Sequence, residues 1–122
     1  MLVSAIAIVI GIIIGLLMPY NLTPDMAPYV AIAIVAALDS VFGGITAHMQ
    51  KRFNMTIFFT GFFSNALLAA ALVYIGNMIG INLMLAAIVI FGTRMFNNFA
   101  VMRYAILEKY NKKNKPQDNA EE

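Results

Sequence analysis

The sequence predicts an all-α, polytopic membrane protein with four transmembrane helices and both termini in the cytoplasm. Three observations predict it. Apolar residues make up 61% of the 122 residues and charged ones only 11%, against roughly 45–50% and about 25% in soluble domains. The apolar residues fall into four runs close to the ~20 residues that cross a ~30 Å hydrocarbon core. The basic residues crowd onto one side of those runs, with none before Lys51 and five of the eight from Arg103 onward.

The first run, 2–18, stops at Pro19 and leads into a turn-rich stretch with Pro24 and Pro28. It is read as a retained span, because Met1-Leu2-Val3-Ser4 carries no basic side chain of the kind a secretory signal needs. The second run covers 29–47 and ends at His48-Met49-Gln50-Lys51-Arg52. The third covers 56–75 and is closed by Gly76-Asn77-Met78-Ile79-Gly80. The fourth runs from Ile81 to about Met102 with Arg94 inside it. Residues 1–108 thus form the membrane domain, and 109–122 are expected to be a polar, disordered cytoplasmic tail.

Loop charge sets the orientation. Residues 19–28 and 76–82 contain no Lys or Arg, whereas Lys51, Arg52, Lys109, Lys112, Lys113 and Lys115 lie in the other loop and the tail. The positive-inside rule places those in the cytoplasm. Tyr20, Tyr29, Tyr74, Tyr104 and Tyr110 fall near span ends, where an interfacial aromatic belt would put them.

Helices in lipid gain little from apolar burial, so close backbone approach matters instead. Ala7, Gly11 and Gly15 form a small-residue stripe on the first span. The second offers Ala36-Ser40-Gly44, Ala33-Ala37 and adjacent Gly43, and the third offers Gly61-Asn65-Ala69. Such stripes serve either packing within a four-helix bundle or contact between copies.

Asp39 is the most informative residue. It lies about 15 Å below the start of its span, near the midplane, where a charge costs roughly 2.5–3.5 kcal/mol on insertion scales. Asn65 falls at nearly the same depth. Arg94 is about 20 Å from the outer face, an offset its long side chain can bridge, and it shares a helix face with Asn97 and Asn98. The expected arrangement is an Asp39–Arg94 ion pair with Asn65 as hydrogen-bond partner and Asn98 nearby. Snorkelling of Arg94 to the cytoplasmic headgroups with Asp39 protonated or bonded to Ser40, or an ion or proton pathway, are the competing uses.

His48 at the cytoplasmic edge reads as an interfacial polar group, and Phe58, Phe59, Phe62 and Phe63 as lipid contact and bundle filling. With no cysteine and one histidine, no metal or cofactor is expected. No nucleophile–base pair, phosphate loop or nucleic-acid patch occurs, so neither enzymatic activity nor a nucleic-acid partner is expected.

Ala36-Ala37-Leu38-Asp39, Gly43-Gly44-Ile45 with Ala47, and Gly61-Phe62-Phe63 with Asn65 carry a family resemblance. So do Leu85-Ala86 and Phe91-Gly92, followed by Arg94, Phe96, Asn98, Ala100, Val101 and Arg103. Together they resemble the small basic protein family of Gram-positive bacteria, membrane proteins often encoded beside cell-division genes. The chain departs from it in its acidic ending, in a formal charge of only +2, and in Arg103-Tyr104 where paired arginines are expected. The resemblance implies a multi-pass protein of the bacterial plasma membrane linked to division, and brings no mechanism.

The leading expectation is a non-enzymatic membrane accessory or scaffold. Its partners would be the lipid bilayer and, through helix contacts, itself as a homo-oligomer or other membrane proteins. The alternative is a small oligomeric channel or transporter using Asp39, Asn65 and Arg94.

Overall fold

The structure, a computed structural model, describes residues 2–19 and 21–115. Met1, Tyr20, the side-chain surroundings of Ala7 and the 116–122 part of the expected tail lie outside the described residues. Four helices follow one another: α1 Leu2–Leu17, α2 Ala27–Met49, α3 Met55–Ile79 and α4 Leu83–Asn114. The last three are each long and apolar enough to cross a membrane. α1 has 16 residues, or about 24 Å, short of the ~20 residues a span needs. The four expected spans are therefore three of full length and a shorter apolar helix.

Local chemistry sets the boundaries. The Thr23 carbonyl accepts from the backbone N–H of Met26 and of Ala27 at 3.0 and 3.1 Å. Pro28 sits in the first turn of α2, where its missing N–H has no intrahelical partner to lose, so the helix starts ahead of Tyr29. Asn54 caps α3 by accepting from the Ile57 N–H at 3.1 Å. That helix runs through Gly76, where the sequence suggested closure, and stops at Gly80, whose φ of 71° is left-handed. Gly76 is buried because α4 turns back over it. A Cβ there would meet the Ile81 carbonyl oxygen at 2.6 Å and the Leu83 nitrogen at 3.1 Å.

α4 begins at Leu83 rather than Ile81 and stays helical to Asn114, into the stretch expected to be tail. Glu108 and Lys112 pair one turn apart at 2.8 Å, and Lys112 and Lys113 in the last turn favour the negative end of the helix dipole. Polar composition in 109–114 therefore continues the helix instead of ending it.

α2, α3 and α4 pack on one another, whereas α1 packs on none of them among the described residues. The shared core is Ile32, Ala36, Ala69, Val73, Ala87 and Phe91. These side chains come from the first half of α2 and of α4 and the second half of α3, so the apolar core occupies one end of the bundle. Nothing lies within 4 Å of a Cβ built on Gly11 or Gly15. The use of that stripe inside a four-helix bundle is not observed. The described side chains of α1 carry no polar group to tie it to the bundle, and apolar surface alone drives little helix association in lipid.

Candidate functional site

Below the apolar core, the inward face of α2 turns polar. Helical spacing carries it from Ile32 and Ala36 to Asp39, Ser40, Gly43 and Thr46. Asp39 lies about 18 Å along α2 from Ala27, and Arg94 about 17 Å along α4 from Leu83. The later start of α4 removes most of the depth offset that the sequence suggested. Arg94 Nη1 approaches Asp39 Oδ2 to 3.3 Å, with the Asp39 side chain 0% exposed and Arg94 51% exposed. This is charge contact at one point and not the paired hydrogen bonding that a guanidinium can offer. Neither carboxylate oxygen has a hydrogen-bond donor among the described residues.

Asn65 does not join this pair. Its Nδ2 donates to Ser40 Oγ at 3.4 Å, because successive residues of α2 diverge around the helix and Ser40 is the one turned to α3. Thr46 Oγ1 donates to the Asn98 carbonyl of α4 at 3.5 Å. The Asn98 amide nitrogen lies 3.7 Å from where a Gly43 Cβ would stand. The cluster is thus three bridges from α2, those of Asp39 and Thr46 to α4 and that of Ser40 to α3. Thr46 follows Asp39 by seven residues, two helical turns, and that spacing was the signal for it in the sequence.

The glycines divide. A Cβ on Gly44 would come within 2.9 Å of the Phe58 ring, while Gly61 has open space in front of it. Gly44 serves close approach within the protomer, Gly43 leaves room for an ordinary contact, and Gly11, Gly15 and Gly61 face open space. The phenylalanines divide as well. Phe58 and Phe62 turn toward the bundle, and Phe59 and Phe63 are exposed.

These residues border a cleft of about 260 Å³. It runs from Asp39, Asn65 and Arg94 to Arg52, Phe53 and Asn54 in the α2–α3 loop. His48, near the same end, is exposed and faces the Phe53 ring edge-on at 6.3 Å between centroids. Among the described residues no group of three or more His, Cys, Asp or Glu side chains converges.

The family model described as "Protein of unknown function (DUF1290)" matches residues 22–107. The chain belongs to the DUF1290 family. The match takes in α2, α3 and most of α4, and with them every member of the polar cluster, whereas α1 lies outside it. This DUF1290 chain is 40% identical over 117 residues to the "Small basic protein" of Bacillus subtilis (strain 168), covering 94% of this chain and 97% of that one. It is also 40% identical over 101 residues to uncharacterized proteins of Mycobacterium tuberculosis (strain ATCC 25618 / H37Rv) and Mycobacterium bovis (strain ATCC BAA-935 / AF2122/97). Those alignments cover 81% of this chain and 80% of each relative. No solved structure matches it.

Proposed function

We propose that this DUF1290 chain is a non-enzymatic accessory or scaffold protein of the bacterial plasma membrane. It works through helix contacts with copies of itself or with larger membrane proteins. Arg94 carries the reading. Its side chain is 51% exposed on the protomer, about 17 Å along α4, a depth at which a charge costs roughly 2.5–3.5 kcal/mol on insertion scales. Protein or water laid against that side removes the cost. α1 supports the same reading, because its Gly11–Gly15 surface is open to a helix from elsewhere. A role in division rests on the family resemblance alone.

The cleft favours a second reading, a small oligomeric channel or transporter. Its 260 Å³ has room for several waters at ~30 Å³ each, and it reaches a buried carboxylate that no donor among the described residues satisfies. Reconstitution into liposomes separates the two. The accessory reading expects more than one copy per particle by single-molecule photobleaching and no ion or proton flux that Asp39→Asn abolishes. Flux lost with Asp39→Asn favours the channel, and single copies without a co-purifying membrane protein overturn the accessory role.

A further inference from the structure

The outward side of α4 carries a pattern that the bundle leaves unused. Met84, Ala87, Ile88 and Phe91 of this helix belong to the core or pack against it. On the opposite side Ala86, Val89, Thr93, Asn97, Ala100 and Tyr104 recur at steps of three and four residues, and all six are exposed. A seam of this spacing runs straight along one helix face. Asn97 lies about 21 Å from Leu83 along the axis, still inside a ~30 Å hydrocarbon core. Its amide makes no hydrogen bond among the described residues, and lipid offers it neither donor nor acceptor.

We infer that two copies of this chain pack along this seam, with the Asn97 amides hydrogen-bonded to each other. The inference rests on the assembly reading above and adds to it a contact surface apart from the exposed side of Arg94. The described side chains of α1 are all apolar and offer Asn97 no hydrogen-bond partner. A second copy can. When two identical chains insert in the same direction, a two-fold axis along the membrane normal brings each residue to the depth of its counterpart. Asn97 then meets Asn97, and an amide is complementary to itself because it both donates and accepts. Arg94 is set around the helix toward α2 and the cleft, where it contacts Asp39, so the seam does not force two guanidinium groups together.

The neighbours of Asn97 fit that contact. Ala86, Thr93 and Ala100 repeat every seven residues, placing small side chains where a second helix must come close, at the period of left-handed crossings. The Thr93 hydroxyl already donates to the Val89 carbonyl at 2.8 Å, so it brings no unmet donor to the interface.

The test uses the full chain in membranes, which is free of native cysteine. Ala100→Cys is expected to form disulfide-linked dimers on oxidation. Adding Asn97→Leu should reduce the dimer at least tenfold, and Asn97→Gln should retain most of it. Because Asn97 is exposed and its amide makes no hydrogen bond among the described residues, Asn97→Leu should leave thermal stability in detergent unchanged, separating lost association from lost folding. Gly15→Cys serves as a second crosslinking site. Dimers through Gly15→Cys but none through Ala100→Cys overturn the seam and leave assembly standing. Ala100→Cys dimers indifferent to Asn97→Leu overturn the amide pair, and no crosslink at either site overturns seam and assembly together.

Discussion

Asp39 and Arg94 touch, yet their surroundings are unequal, and the inequality sets how each responds to loss of the other. Asp39 is sealed while Arg94 keeps half its surface. Arg94→Ala strands a buried carboxylate with no donor, the situation that costs roughly 3–5 kcal/mol in buried pairs. Asp39→Ala leaves a guanidinium that can extend toward water, so about 1–2 kcal/mol is expected after allowing for its exposure. Unfolding titrations of both variants and of the double variant check this. Arg94→Ala should be the more damaging, and the double variant milder than the sum. Equal, additive losses would mean that the 3.3 Å contact contributes no coupling.

Among the elements, the connection from α3 to α4 is tightly packed on Gly76, and α1 packs on no other helix among the described residues. Gly76 has no room for a methyl group, since backbone atoms of Ile81 and Leu83 stand where its Cβ would go. Backbone cannot swing aside as a side chain can. Gly76→Ala should therefore cost about 1–3 kcal/mol, the range of overpacking, and lower the thermal midpoint of the bundle. Gly11→Leu meets open space and should leave that midpoint unchanged. A destabilised Gly11→Leu protomer would show α1 packed within the bundle after all. At the other end of α4, the extension to Asn114 depends on a helix end supplied with lysines and an intrahelical ion pair. A reading that treats polar composition as disorder misses this.

The whole molecule is asymmetric along its length. Its apolar core closes the end at the α3–α4 turn, and its polar cleft opens toward the α2–α3 loop that holds Lys51 and Arg52. Charge bias predicts that the open end faces the cytoplasm. In a chain without cysteine, Thr23→Cys and Asn77→Cys should react with an impermeant reagent added outside intact cells. Gln50→Cys should react only after permeabilisation, and that site avoids disturbing the Asn54 cap of α3. External labelling at Gln50→Cys would reverse the orientation.

Composition and the spacing of apolar runs determined an all-helical protein whose three long helices are apolar enough to cross a membrane. The lone intramembrane charges named Asp39 and Arg94 as partners, because lipid penalises every charge it contains and leaves few ways to satisfy one. Residues that match a family by pattern were legible in the same way. The tertiary structure decided what helical periodicity cannot hold. It sets which way each face turns, so that Asn65 reaches Ser40 and not the ion pair. It decides that Gly44 and Gly76 are close-approach glycines while Gly11, Gly15 and Gly61 are not, and that α1 packs on none of the other helices among the described residues. A stripe in sequence records a surface able to pack. Only the positions of the other helices decide whether anything packs there.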